Sequence, residues 1–99
     1  AGYIGTHTCV ELLNEGHEVI VVDNFSNSKQ AAPERVREIT GKTLHFYEVD
    51  LLEKAGLESV FQKHKIDAVI HFAALKAVGE SVAQPLRYYH NNVTGTLNL

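Results

Sequence analysis

The 99 residues carry 9 lysines and arginines against 12 aspartates and glutamates, a net charge of −3 with neutral histidines. That balance offers no cationic footprint for nucleic acid or anionic lipid, and no apolar run approaches the roughly 20 residues of a membrane span. An apolar content of 44% with 21% charged residues suits a globular chain, and the single cysteine, Cys9, excludes an intrachain disulfide and fits a reducing compartment, the cytoplasm.

The chain opens on Ala1-Gly2-Tyr3-Ile4-Gly5 and runs directly into a helical pattern. Two glycines three residues apart before a helix read as the late half of a dinucleotide-binding turn. There, backbone N–H groups and the helix N-terminus meet a pyrophosphate. Gly5 to Glu15 predict a short helix with Val10, Leu12 and Leu13 to one side, stopped by Gly16. Glu18 to Asp23 predict a strand, and the β-branched run Val19-Ile20-Val21-Val22 predicts burial on both faces, as in a parallel sheet. Asn24 to Ala32 read as a loop.

Pro33 is expected at the first position of a second helix, which has Val36 and Ile39 on its apolar side and ends at Gly41. Thr43 to Val49 predict a second strand, with Asp50 at its C-terminal end. Leu51 to Lys65 predict a helix with Leu52, Leu57, Val60 and Phe61 on one side, weakened at Gly56 by up to about 1 kcal/mol relative to alanine. Asp67 to Phe72 predict a third strand, then Ala73-Ala74 a break, and Leu75 to Val82 a loop or frayed turn. Ser81 to Leu99 predict a helix, with Pro85 near its start and Leu86, Tyr89, Val93 and Leu97 recurring at helical steps. Gly95 is a blemish within it.

This alternation predicts an α/β fold, a Rossmann-type parallel sheet with flanking helices and right-handed crossovers, in one domain over residues 1–99. The first strand and first glycine of such a sheet would precede Ala1, and no stop signal stands at Leu99. The chain is therefore expected to be part of a longer protein, with the domain truncated at both ends and a substrate domain absent.

Asp23 closes its strand 18 residues after Gly5, near the roughly 20-residue spacing of an acid that accepts from the ribose hydroxyls of NAD. Such a carboxylate repels the extra phosphate of NADP, with Lys29 the nearest base. Ligands of open α/β sheets bind beyond the carboxyl ends of the strands, which also carry Asp50 and Phe72-Ala73-Ala74. Lys76 is placed to reach a phosphate or ribose, or is a surface lysine; Asn91 and Asn92 lie mid-helix, where asparagine is disfavoured and so suggests a polar contact. The six histidines lack ligand spacing, so no metal is expected. His71, in an apolar strand, reads as a satisfied core residue. No GxSxG elbow is present.

Together the stretches GYIGTHTCVELL, VVDNFSNS and VIHFAALKAVGESVAQPLRYYHNNVTGT resemble the UDP-glucose 4-epimerases (UDP-galactose 4-epimerases), which are extended short-chain dehydrogenases/reductases. The resemblance covers essentially the whole chain. It implies that Gly2, Tyr3, Ile4 and Gly5 pack on the pyrophosphate of NAD, and that Asp23, Asn24, Phe25, Ser26, Asn27 and Ser28 hold the adenosine ribose. It further implies that Asp50 and Leu51 flank adenine and that Phe72, Ala73, Ala74, Leu75 and Lys76 run beside the phosphates and nicotinamide ribose. Asn91 would lie near the cofactor. Ala74 departs from the pattern, standing where a glycine is frequent.

The implied activity is the NAD-dependent interconversion of UDP-glucose and UDP-galactose by transient oxidation at C4 of the sugar, a step of galactose metabolism. The catalytic serine and Tyr-x-x-x-Lys of these enzymes would lie beyond Leu99; neither Tyr88 nor Tyr89 has a lysine four residues on. The isolated chain is therefore expected to be inactive, and a homodimer is expected through the helix carrying Tyr88 to Leu99. A related nucleotide-sugar epimerase or dehydratase, and a non-catalytic NAD(P)-binding regulator, remain the alternatives at this point.

Overall fold

Helix α1 (Tyr3–Asn14) stops where Gly16 supplies a left-handed residue, φ +89°. The N–H groups of Gly16 and His17 donate to the carbonyls of Leu13 and Leu12 (3.1 and 3.0 Å), the paired bonds of a Schellman motif. Lys42 Nζ donates to the Leu13 carbonyl as well (2.6 Å), placing a cation at the negative end of the helix. The structure is a computed structural model that describes residues 1–99. It comprises two units, Ala1–Glu48 and Val49–Leu99.

In the first unit, β1 (Ile20–Asp23) leads through α2 (Ala31–Thr40) to β2 (His45–Glu48). The two strands pair in parallel, with Ile20 opposite His45 and Asp23 opposite Glu48. Leu13, Val19, Val36 and Leu44 form the buried core, with Cys9, Val10, Leu12 and Val21 packed against it. Arg37 ties α2 to the segment before β2, its Nη2 donating to the Leu44 carbonyl at 2.8 Å.

Three expectations shift here. The residues of β1 are half-buried instead of buried on both faces, since a two-stranded sheet cannot enclose them. Ile39 is 70% exposed, and Pro33 and Val36 are the buried residues of α2. Pro33 is the third residue of α2, not the first; it still falls in the opening turn, where its missing N–H costs no helical bond.

In the second unit, the Asp50 carboxylate accepts from Leu52 N–H (2.9 Å) and its carbonyl from Glu53 N–H (2.9 Å). This turn delays α3 (Lys54–Lys63) by three residues relative to the expected start at Leu51. Leu57 and Val60 are buried, and Phe61 is not. Gly56, read from sequence as a weak point, sits where a Cβ would lie 3.0 Å from Val49 Cγ1. Close packing, and not tolerance, accounts for this glycine.

The third expected strand, Asp67 to Phe72, forms no ladder within these 99 residues. A strand exists by virtue of a backbone partner, and the sheet contains only β1 and β2. Val69, Ile70 and Phe72 are accordingly exposed despite their strand-like composition.

The expected single helix from Ser81 to Leu99 is divided. Helix α4 (Val78–Ala83) ends at Gln84, whose non-helical backbone (φ −133°, ψ 60°) fits the bias a following proline imposes against the α region. Then come α5 (Pro85–Tyr89), a π-helical turn (His90–Thr94) and α6 (Gly95–Asn98). The buried residues of this stretch are Tyr88 and Gly95, while Leu86, Tyr89, Val93 and Leu97 stand exposed. A Cβ at Gly95 would lie 3.3 Å from Leu51 Cβ, so this glycine too permits a close approach.

Two stability measurements follow from this packing. Leu13→Ala, which empties a fully buried site, should cost about 2–5 kcal/mol in a denaturant titration. Gly56→Ala should fail to deliver the roughly 1 kcal/mol helix gain of that substitution, because the new methyl meets Val49; a clear gain in melting temperature would show that Val49 yields freely.

Candidate functional site

The site in the first unit is built around the end of β1. Asp23 Oδ1 accepts from the Phe25 N–H (2.7 Å) and from the Ser28 hydroxyl (2.8 Å). Its Oδ2 accepts from the Ala1 nitrogen at 2.6 Å. One carboxylate thereby ties the start of the glycine turn to the loop after β1. Burial opposes the charge on Asp23, but the bonds from Ala1, Phe25 and Ser28 outweigh it and hold the pKa below the ordinary value.

The loop itself is held by short side-chain-to-backbone bonds. Asn24 Oδ1 accepts from Ser26 N–H at 2.9 Å, a second Asx turn beside that of Asp23. Phe25 occupies the left-handed region at φ +54°, a conformation costing a non-glycine residue of order 1–3 kcal/mol. The Asp23 bond and a stack on Phe46, centroids 4.9 Å apart, hold it there. Ser26 and Asn27 are exposed.

Gly2 caps the N-terminus of α1 in an extended conformation, φ −72°, with no side-chain cap. The first helical bond runs from Thr6 N–H to the Gly2 carbonyl (2.9 Å), so the N–H groups of Tyr3, Ile4 and Gly5 have no acceptor within the helix. A Cβ at Gly2 would meet no protein atom within 4 Å, and its φ is negative. Neither packing nor backbone conformation among these residues demands glycine there.

In the second unit, the carboxylate of Asp50 is engaged by the turn into α3, and the Leu51 carbonyl accepts from Asn98 Nδ2 at 2.7 Å. Phe72, Ala73 and Ala74 lie exposed ahead of Leu75. The backbone of Leu75 is held at both ends by one side chain: its N–H donates to Asn92 Oδ1 (2.8 Å), and Asn92 Nδ2 donates to its carbonyl (2.9 Å). Asn91 donates through Nδ2 to Asn92 Oδ1 (2.9 Å), so the two asparagines act in series. Lys76 is exposed.

A second set of contacts was not legible in the sequence beyond the KAVGESV and YYHNNV stretches themselves. Ala77 N–H donates to Tyr88 Oη (3.2 Å), and Tyr88 O–H donates to Glu80 Oε2 (2.8 Å). Arg87 pairs with Glu80 Oε1 at 2.5 Å. Burial, with the Glu80 carboxylate beside it, pushes the Tyr88 phenol up, so it stays a neutral hydrogen-bond donor. His71 is satisfied by Thr96 Oγ1 at 2.9 Å but lies exposed, not in a core.

Comparison with known proteins agrees with this geometry. The chain is 67% identical over all 99 residues to the UDP-glucose 4-epimerase of Bacillus subtilis and covers 29% of that protein. It is 57% identical to UDP-glucose 4-epimerase uge1 of Schizosaccharomyces pombe, again over its whole length and 28% of the relative. The crystal structure of UDP-glucose 4-epimerase from Bifidobacterium longum in complex with NAD+ and UDP superposes with a TM-score of 0.98 at 56% identity, covering 100% of this chain and 30% of that one. The chain thus spans under a third of the length of these relatives and has their Rossmann-type α/β fold. The model of the NAD dependent epimerase/dehydratase family matches residues 1–99 throughout, and the chain belongs to that family.

Proposed function

We propose that these 99 residues are part of a single NAD-binding domain of an enzyme that interconverts UDP-glucose and UDP-galactose. The observation that carries the proposal is the Asp23 carboxylate at the end of a parallel strand, tied to the nitrogen that opens the glycine turn. The named relatives are UDP-glucose 4-epimerases, and the Bifidobacterium longum structure is a complex with NAD+ and UDP; both support the same reading.

In this reading Gly2, Tyr3, Ile4 and Gly5 offer the helix N-terminus to the pyrophosphate. Asp23 receives the adenosine ribose hydroxyls on lone pairs left by its own loop, with Asn24, Phe25, Ser26, Asn27 and Ser28 shaping the surface around them. Asp50 and Leu51 border adenine. Phe72, Ala73, Ala74, Leu75 and Lys76 run along the phosphates and nicotinamide ribose, and Asn91 stands near by. NAD held there supplies the reversible oxidation at C4 of the sugar. The acid–base residues of that step are expected outside these 99 residues, and the isolated chain is expected to be inactive.

The exposed stripe of Leu86, Tyr89, Val93 and Leu97 supports a homodimer that buries it. No helix is long and apolar enough to cross a membrane, and with Cys9 free we place the protein in the reducing cytoplasm.

The direct test is conversion of UDP-galactose to UDP-glucose by the whole protein without added reductant. Dependence on NADPH, or conversion of neither sugar, overturns the proposal. Asp23→Ala should weaken NAD binding by more than about tenfold, the scale of losing a charged acceptor together with the loop it holds; unchanged affinity by calorimetry would reduce Asp23 to a strand cap.

A further inference from the structure

The residues on either side of Lys76 are both held through their backbones by side chains from one helical stretch. Asn92 takes the N–H and the carbonyl of Leu75, and Tyr88 Oη accepts the N–H of Ala77. Tyr88 and Asn92 lie four residues apart, one at the end of α5 and one inside the π-helical turn His90–Thr94. Such turns interrupt α-helices chiefly where a side chain must be re-aimed for function.

Both gripping side chains are themselves oriented. Tyr88 is buried and donates its proton to Glu80, which Arg87 holds from the other side. Asn92 Oδ1 accepts from Asn91 Nδ2 in addition to Leu75. Lys76, in contrast, is exposed and makes no hydrogen bond or ion pair with the chain. The backbone at Lys76 is fixed from both sides while its ammonium stays available.

We infer that Tyr88 and Asn92 are positioning residues that clamp the backbone around Lys76 and so aim its ammonium at the phosphate-bearing ligand. This rests on the role assigned to Lys76 above. A lysine loses a large rotamer entropy when it is immobilised. A backbone fixed beforehand removes part of the ordering cost that binding would otherwise carry. The clamp therefore acts on ligand affinity through Lys76 and is silent without it.

A double-mutant cycle in the whole protein separates this from a merely structural role. Lys76→Ala first identifies the ligand that Lys76 contacts, as the loss in NAD affinity by calorimetry or the rise in KM for UDP-galactose. Tyr88→Phe and Asn92→Ala should each weaken that same ligand about three- to tenfold, the scale of one or two hydrogen bonds. In the Lys76→Ala background neither substitution should weaken it further. Losses that add fully to that of Lys76→Ala, or affinities left unchanged by Tyr88→Phe and Asn92→Ala in the protein that retains Lys76, overturn the clamp. If Lys76→Ala alters neither ligand, the role of Lys76 itself fails and the clamp falls with it; a loss on Lys76→Ala with additive partners leaves that role standing and removes only the clamp. Tyr88→Phe keeps the ring in its buried place, so the cycle can be completed even if Asn92→Ala folds poorly.

Discussion

One carboxylate organises the first unit. Asp23 gathers the nitrogen of Ala1, the N–H of Phe25 and the hydroxyl of Ser28 on two oxygens. The glycine turn and the loop after β1 are distant in sequence, and the Asp23 carboxylate bonds to both. The bond from Phe25 also helps hold a phenylalanine in a left-handed conformation that isolated chains avoid. With the carboxylate removed, the helix N-terminus, the loop and the strained residue lose a common anchor. An acid that merely ended a strand would not need three donors from two directions.

In the second unit the ordering principle is different. Backbone segments without regular structure are held by side chains of the helical stretch that follows them: Asn92 on Leu75, Tyr88 on Ala77, Asn98 on Leu51. Gly95 brings that stretch close to Leu51. The packed side of the helices is therefore polar and small, and the apolar residues Leu86, Tyr89, Val93 and Leu97 point outward. An irregular segment next to a ligand needs its backbone groups satisfied as strictly as a strand does. Here side chains supply those bonds in place of a ladder.

Much of the first unit was legible in the sequence because its signals are local. Gly16 and Gly41 adopt the left-handed geometry that glycine permits, and the β-branched run ending at Asp23 forms the parallel strand. The spacing from Gly5 to Asp23 carries the geometry of a strand following a helix. For Asp67 to Phe72 composition reports a preference for extended backbone and says nothing of the partner that makes a strand, and no partner lies within these 99 residues. The last helix misled for a related reason: hydrophobic periodicity marks which residues seek cover, and here those are the exposed ones. Gly56 and Gly95 looked like weaknesses because propensity scales carry no information about neighbours such as Val49 and Leu51. Asn92 was visible only as an unfavourable residue in a helix, with no indication of which backbone it served.

The first unit offers N–H donors at a helix start and a pre-bonded acid at a strand end; the second, taken by itself, carries a lysine on a clamped backbone. The relatives the chain matches are UDP-glucose 4-epimerases, one of them solved with NAD+ and UDP. The measurement closest to the central claim is a crystal structure of the whole protein with NAD. The account predicts the adenosine ribose hydroxyls within hydrogen-bond distance of Asp23 and the pyrophosphate against the N–H groups of Tyr3 to Gly5. A ribose held elsewhere, with Asp23 bonded only to its own loop, would contradict it.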